Sequence, residues 1–174
     1  MNIGGFEIER KFLIAMPELT WMESLDGSDI TQIYLLGERG TTERVRCRRR
    51  ADRCEYTHTV KRRISDMRRQ EDEEQINAET YDRLLQRADP ERRVIEKRRY
   101  CLEENGLLWE IDVFPFWQHQ AVLEVELTEE AQQFTIPACF RIIREVTGDR
   151  RYTNAALSRA VPDEDMPEWN FERV

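Results

Sequence analysis

Charged side chains recur at every second position in seven separate segments of this sequence, with apolar residues between many of them. The charged positions are Glu7, Glu9 and Lys11; Arg44, Arg46 and Arg48; Lys61; Arg69, Glu71 and Glu73; Lys97 and Arg99; Glu110 and Asp112; and Glu124 and Glu126. Successive side chains of a β-strand point to opposite faces, so this period predicts strands with one charged face and one mainly apolar face.

The sequence contains about eight such strand segments, which we expect to pair mostly as antiparallel neighbours. The predicted strands cover 6–14, 30–36, 42–50, 53–64, 68–76, 92–103, 107–114 and 120–129. Tight turns are predicted at 51–52 and 104–106. Predicted helices cover 17–25, a segment capped by Asn77 that ends near 88, a segment after Pro137 that contains Phe140, Ile143 and Val146, and 153–160.

Two architectures are compatible with this alternation. In the first, the apolar faces point inward and the charged faces contact water, as in a sandwich or a small barrel. In the second, the strands close into a barrel whose interior holds the charges, while amphipathic helices cover parts of the apolar exterior. The periodicity does not distinguish them.

Length and composition indicate one folded, very polar domain. The chain has 174 residues, of which 36% are charged and 40% are hydrophobic, enough for a single core. We place the domain at 1–160 and a Pro-containing acidic tail at 161–174. The net charge of −8 argues against non-specific binding of nucleic acid or membrane surfaces.

Cysteine and histidine usage argues against a zinc site and favours the cytoplasm. The four cysteines form no C-x-x-C pair, and His58 and His119 lack the spacing of metal ligands. No basic-then-apolar leader segment and no apolar run of about 18 residues is evident, so we expect a soluble cytoplasmic protein. For His58 an ordinary packing or surface role is expected.

The charges are sorted by sign, which favours a binding site over a solubilising surface. Residues 39–99 carry 19 of the 27 Lys and Arg and 13 of the 35 Asp and Glu, a net charge of +6 against −14 for the remainder. Acids occur as pairs on some strands and bases as pairs on others. Binding a polyanion together with its metal ion requires both, because cations surround the phosphates and carboxylates hold the ion.

Eight short motifs, in this order, resemble the CYTH domain of the triphosphate tunnel metalloenzyme family. They are EIERK at 7–11, RVR at 44–46, TVK at 59–61, EDE at 71–73, KRRY at 97–100, WEID at 109–112, LEVEL at 123–127 and EVTGDRRYTN at 145–154. The resemblance covers about residues 3–157. It implies an α+β fold: an eight-stranded antiparallel β-barrel, open as a hydrophilic tunnel, with helices packed outside.

The resemblance also implies roles for individual residues. The metal-binding carboxylates it implies are Glu7, Glu9, Glu124 and Glu126, and the cofactor is Mg²⁺ or Mn²⁺, with two ions expected. The cradle for the triphosphate is Lys11, Arg44, Arg46, Lys61, Lys97 and Arg99. The remaining catalytic positions are Glu71, Glu73 and Asp112, which support a second ion or orient water, Lys61, which steadies the leaving group, and Tyr34, which shapes the tunnel. Which arginines of 44, 46 and 48 reach the substrate stays open.

The activity implied is metal-dependent hydrolysis of inorganic triphosphate to pyrophosphate and phosphate, because the ERKFLI continuation of the first motif looks most like bacterial inorganic triphosphatases. The alternatives within the family are an adenylate cyclase and a nucleoside or thiamine triphosphatase. A third alternative is a triphosphate-binding sensor without catalysis. The expected partner is a small-molecule triphosphate, not nucleic acid or membrane, and a homodimer is compatible with the sequence.

Overall fold

The computed structural model describes residues 8–63 and 69–165, and within these it describes all side chains except those of 63 and 69–71. The strands are β1 Ile8–Ala15, β2 Asp26–Leu35, β3 Thr41–Arg50, β4 Arg53–Arg63, β5 Arg69–Ile76, β6 Ile95–Glu104, β7 Leu107–Val113, β8 Gln120–Leu127 and β9 Ile142–Glu145. The helices are α1 Leu19–Met22, α2 Ala78–Leu85 and α3 Asn154–Leu157, with a 3-10 turn at Arg150–Tyr152. No described helix has the length and apolar character needed to cross a membrane.

The described residues divide into two compact units. The first consists of Ser28–Lys97 and Arg151–Val161, and the second of 8–27, Arg98–Arg150 and 162–165. Both units are built from antiparallel strand pairs with short helices, as the alternating pattern predicts. The predicted division into a domain at 1–160 and a tail stays a prediction.

The first unit is an antiparallel ladder in the order β2, β3, β4, β5. The β3–β4 hairpin closes at the pair Arg50 and Arg53, as predicted, with Ala51 in the left-handed region at φ 48°. Helix α2 follows β5 because the Asn77 side chain accepts a hydrogen bond from the backbone N–H of residue 80 and so caps the helix. Its Tyr81 ring lies 4.7 Å from the Tyr56 ring of β4, which fixes the helix over the apolar face.

The second unit is a ladder in the order β6, β7, β8, β1, β9. Asn105 and Gly106 close the β6–β7 hairpin with φ values of 54° and 75°, a conformation that Asn and Gly adopt at low cost. The apolar face of the ladder forms the main core, in which Trp109 is fully buried. The buried residues of this core are Phe12, Ile14, Met22, Tyr100, Trp109, Ile111, Ala121, Leu123, Val125, Leu127 and Phe140.

The helix predicted after Pro137 is wrong. Residues Ile142–Glu145 form β9, which pairs antiparallel with β1 through Phe12 with Glu145 and Leu13 with Arg144. The three apolar residues that predicted this helix lie in a loop and a short strand instead. Phe140 packs into the core, and the backbone of β9 bonds to β1. The described residues therefore contain nine strands, against about eight predicted.

Part of the charged face of the second unit is buried. Asp112 on this face is only 1% exposed and Glu124 is 9% exposed, while the opposite face packs into the apolar core. A solvated outer face would leave such carboxylates exposed. Within this unit the burial favours the second architecture, in which the charges line an interior.

The first residues of the predicted tail are hydrogen-bonded within the second unit. The Glu164 carboxylate accepts the backbone N–H groups of Gln118 and His119 at 2.5 and 2.8 Å. The Asp165 N–H donates to the buried Gln120 side chain at 2.9 Å, and its carboxylate accepts from Arg144 at 2.6 Å. Residues 164 and 165 are thus tied to the second unit by these hydrogen bonds.

Candidate functional site

The pairing of β1 with β8 brings the two E-x-E segments of the sequence together. Glu9 lies directly opposite Glu126, and Lys11 lies opposite Glu124. The Lys11 ammonium is 3.0 Å from a Glu9 oxygen and 2.8 Å from Glu124 Oε1. Burial lowers the pKa of Lys11, but the Glu124 and Glu9 carboxylates raise it by more, so its pKa lies above the ordinary value and the side chain is a cation.

Arg99 of β6 is surrounded by carboxylates from the two following strands. Its Nε and Nη2 donate to both oxygens of Asp112 at 2.6 and 2.7 Å, and Nη2 also donates to Glu124 Oε2 at 2.7 Å. Nη1 donates to Glu110. Burial lowers the pKa of Arg99, but the carboxylates of Asp112, Glu124 and Glu110 raise it by more, so the pKa lies above the ordinary value. The result is a fixed, permanently charged centre.

Together these side chains form one cluster, which we call the acidic cluster: Glu9, Lys11, Arg99, Glu110, Asp112 and Glu124. Five ion pairs join its four carboxylates and two cations, so it carries a net charge of −2. Its donor set, carboxylate oxygens only, is the set that hard divalent cations prefer, and its excess charge equals that of one such ion. The chemistry of the donors, though not their arrangement, therefore matches a hard divalent cation.

The described carboxylates are nevertheless arranged around amino and guanidinium groups. In 8–63 and 69–165 no three His, Cys, Asp or Glu side chains converge in a way that could hold a metal ion. Glu126, opposite Glu9, is exposed. Glu7 lies outside the described residues.

The first unit holds the predicted arginines of β3 in a network of its own. Glu73 of β5 bonds to Thr59 at 2.8 Å and to Arg46 at 3.4 Å, and it lies 3.8 Å from Arg44. Arg44 also donates to the buried Gln32 of β2 at 3.2 Å. The register explains this arrangement, because Arg44 and Arg46 pair with Tyr34 and Gln32 on one side and with Thr59 and Thr57 on the other.

Tyr34 lies on the same face of β2 and is 3% exposed. Its hydroxyl accepts a hydrogen bond from Gln32 at 2.8 Å, and the Arg92 guanidinium lies 4.6 Å from its ring centroid. Burial raises the pKa of Tyr34, and the neighbouring Arg44 offsets only part of this rise. The phenol is therefore neutral at physiological pH.

The remaining predicted residues take positions consistent with their strands. Lys61 of β4 is half-buried and pairs in register with Thr42 and with position 71. Lys97 of β6 is buried, at 7% exposure. Glu71 lies in β5, and its side chain is not among those described. The structure thus assembles Glu9, Lys11, Arg99, Asp112 and Glu124 in one unit and Tyr34, Arg44, Arg46 and Glu73 in the other.

Glu110 and Gln32 belong to these networks but not to the predicted site, and Arg48 is the arginine whose role the prediction leaves open. Glu110 binds Arg99, and its position two residues before Asp112 is the signal that could have included it. Arg48 donates to the buried Ser28 hydroxyl at 3.1 Å, at the end of the Arg44–Arg46 row. Gln32 had no signal beyond its parity with Tyr34, because uncharged amides occur on either face of a strand.

His58 forms an ion-pair network on the other face of the first unit. Its Nε2 lies 2.9 Å from Glu43 and its Nδ1 lies 3.2 Å from Glu74. Arg87, just after α2, donates to both oxygens of the same Glu43, at 2.9 and 2.6 Å. Burial raises the pKa of Glu43, and the bonds from Arg87 and His58 lower it by more, so the pKa lies below the ordinary value. These contacts are those of a structural residue, as expected for His58.

Similar proteins share both the sequence and the fold of this chain. An inorganic triphosphatase of Nitrosomonas europaea is 36% identical over 161 residues, 90% of this chain and 99% of its own. An inorganic triphosphatase of Acetivibrio thermocellus is 32% identical over 154 residues, 88% of this chain and 93% of its own. No protein-family model matches the chain.

A crystal structure of an inorganic triphosphatase resembles the chain with a TM-score of 0.58 at 33% identity. The match covers 92% of this chain and 99% of the solved one. A likeness of this extent confirms the predicted fold class.

Proposed function

The chain belongs to the CYTH family of inorganic triphosphatases, and we propose from this membership that it hydrolyses inorganic triphosphate to pyrophosphate and phosphate. Two relatives named inorganic triphosphatase support this reaction. Each is more than 30% identical to the chain and aligns with nearly all of it. The activity is a hydrolysis of a phosphoanhydride bond, for which the protein must position water and neutralise charge.

The observation that carries the proposal is the register of β1 with β8. It places Glu9 opposite Glu126 and Lys11 opposite Glu124, so that carboxylates and a half-buried cation share one face, on which Glu124 is buried and Glu126 is exposed. A binding site for a metal-bound triphosphate needs this combination. An ordinary solvated face would not bury the Glu124 carboxylate.

The candidate metal ligands are Glu9, Glu124 and Glu126, with Glu7 as a fourth that the sequence supplies. When bound, Mg²⁺ or Mn²⁺ would neutralise phosphate charge and lower the pKa of coordinated water. The net charge of −2 in the acidic cluster supports a divalent ion. A second ion would require additional carboxylates, for which Glu71 and Glu73 are the candidates.

We assign the phosphate ligands as the cationic side chains Lys11, Arg44, Arg46, Lys61 and Lys97. Arg44 and Arg46 are held by Glu73 at one end of their side chains, which limits their rotamers before substrate binds. Fixed guanidinium groups bind phosphate oxygens with less loss of entropy than mobile ones. Lys61 is assigned to the leaving pyrophosphate.

Asp112 and Arg99 support the site instead of binding substrate. Asp112 gives both carboxylate oxygens to Arg99, and Arg99 has all three nitrogens bonded to carboxylates. We therefore assign Asp112 to holding Arg99, and we keep Glu71 and Glu73 as the candidates that orient the attacking water. Tyr34, neutral and bonded to Gln32, is assigned to shaping the substrate-binding face.

Phosphate release tests the proposal directly. Tripolyphosphate, ATP, thiamine triphosphate and pyrophosphate are each supplied with Mg²⁺ or Mn²⁺, and ion chromatography identifies the products. We expect one phosphate and one pyrophosphate per tripolyphosphate, and no turnover after EDTA. Faster hydrolysis of ATP, or formation of cyclic AMP, would replace the proposal with one of the nucleotide activities, and binding without turnover under both metals would sink it.

Glu9→Gln tests the metal assignment. The variant removes one candidate ligand while keeping side-chain volume, so we expect metal-dependent turnover to be lost with the circular dichroism spectrum unchanged. Full retained activity would show that Glu9 does not bind the ion. Arg10→Gln is the matched control, because Arg10 lies on the other face of β1 and bonds to Glu145 at 2.6 and 2.9 Å.

The proposal also includes a cellular compartment and an assembly state. All four cysteines are free thiols, which supports a reducing compartment such as the cytoplasm. The homodimer stays a prediction, for which sedimentation velocity is the test.

A further inference from the structure

We propose that Lys11 is an exchangeable counter-ion that occupies the place of the metal, so that metal binding releases its ammonium for the triphosphate. The inference rests on the proposed function. Its basis is that both oxygens of Glu124 already have cationic partners: Oε1 lies 2.8 Å from Lys11 Nζ, and Oε2 accepts from Arg99 Nη2 at 2.7 Å. A metal ion that binds Glu124 therefore meets a positive charge next to each of its oxygens, and withdrawal of one cation relieves that repulsion.

Contact geometry identifies Lys11 as the cation that withdraws. Arg99 makes four hydrogen bonds to three carboxylates with a rigid planar group, so moving it breaks all four. Lys11 has a compact ammonium on a flexible stem and contacts two carboxylates, Glu9 and Glu124. Those two carboxylates are also the described pair that we assign as metal ligands on this face.

Charge repulsion favours the exchange. A divalent ion bound between Glu9 and Glu124 would place two positive charges within a few ångströms of the ammonium, which then gains from moving to an anion. A triphosphate bound with its metal supplies such an anion. Metal and triphosphate should therefore bind with positive coupling, and coupling between two ligands is reciprocal.

The arrangement also explains why no described group of carboxylates converges on a metal position. Lys11 holds Glu9 and Glu124 to itself, while Arg99 holds Asp112 and Glu110. The cluster keeps its net charge of −2 with both cations in place. These ion pairs thus hold the cluster together without neutralising it.

Titration calorimetry with Mn²⁺ alone, without triphosphate, tests the exchange. Lys11→Gln removes the competing charge, so we expect it to bind Mn²⁺ about tenfold more tightly than the wild type, as expected for removal of one nearby charge. Lys11→Arg keeps the charge and should bind no more tightly than the wild type. Arg10→Gln, on the opposite face of the same strand, should match the wild type.

A measurement on the wild type keeps the proposal testable if Lys11→Gln does not fold. The sequence has only three lysines, Lys11, Lys61 and Lys97, so reductive methylation followed by mass spectrometry reports each one. Adding Mg²⁺ without triphosphate should increase methylation at Lys11 several-fold. Unchanged labelling of Lys11 under saturating Mg²⁺ would overturn the exchange.

The outcomes separate this inference from the proposed function. Wild-type hydrolysis of tripolyphosphate combined with Mn²⁺ binding to Lys11→Gln that is no tighter than wild type would overturn the exchange and leave the function standing. A wild type that neither binds Mn²⁺ nor hydrolyses tripolyphosphate would overturn both. Tighter binding by Lys11→Gln but not by Lys11→Arg supports the exchange.

Discussion

Replacement of Arg99 by Met should cost far more stability than the same replacement of Arg10, although both arginines are bidentate partners of a carboxylate in the second unit. The Arg99 side chain is 13% exposed and its partner Asp112 only 1%, whereas Arg10 and its partner Glu145 are 35% and 40% exposed. Burial is therefore the main difference between the two sites.

The expected magnitude follows from the contacts. Each guanidinium–carboxylate pair contributes about 4 kcal/mol at a separation of about 4 Å and an effective dielectric constant of about 20. Desolvation offsets most of the sum over the three carboxylates bound by Arg99. Removing a buried partner leaves the carboxylates uncompensated, so we expect Arg99→Met to lower the free energy of unfolding by about 3–5 kcal/mol, and Arg10→Met by about 0–1 kcal/mol.

Urea denaturation in EDTA, followed by circular dichroism, measures both values. With an m-value of about 2 kcal/mol/M, the Arg99→Met midpoint should fall by about 2 M and the Arg10→Met midpoint by less than about 0.5 M. Arg99→Lys keeps one charge but loses the planar fork, so it should fall between these values. Equal losses at Arg99 and Arg10 would refute the view that burial sets the cost of breaking these pairs.

Three further outcomes are expected. Tyr34→Phe removes the acceptor of the buried Gln32 amide and should lower the free energy of unfolding by about 1–2 kcal/mol; an unchanged urea midpoint would contradict the bond. Burial raises the pKa of Glu43, but the bonds from Arg87 and His58 lower it by more, to below its ordinary value of 4.5. The stability that Glu43 contributes is therefore complete above that value and is lost as the pH falls below it. Glu43→Gln should consequently lose less stability than wild type between about pH 5 and pH 3, measured by thermal melting. Chelation of metal by EDTA should abolish turnover reversibly, and turnover that persists in EDTA would exclude a metal requirement.

Strands and their faces could be predicted from the sequence because a period of two is a local property. The segment at 107–114, for instance, contains β7 with Trp109 and Ile111 in the core and Glu110 and Asp112 on the charged face. The same local reasoning failed at β9. Its four residues form a strand only because β1, more than a hundred positions earlier, supplies the partner backbone.

For the ion pairs of the site, the sequence predicts only which charged side chains share a face, not which of them pair. The alternation placed Lys11, Arg99 and Glu124 on the charged face. It could not show that the Glu124 carboxylate pairs with both cations. Side-chain rotamers and strand register decide such contacts, and neither is a local property. For the same reason Glu110 was passed over although it lies two residues from Asp112.

The place of β1 between β8 and β9 has a consequence for how the protein is made. Its partners Gln120–Leu127 and Ile142–Glu145 follow it by roughly a hundred residues or more. At a synthesis rate of about 5–20 residues per second, β1 waits on the order of 10 s on the ribosome with both backbone edges unpaired. Its apolar residues Phe12, Leu13 and Ile14, which are buried in the folded protein, lack their strand partners during that time, and Glu9 meets Glu126 only when synthesis is nearly complete.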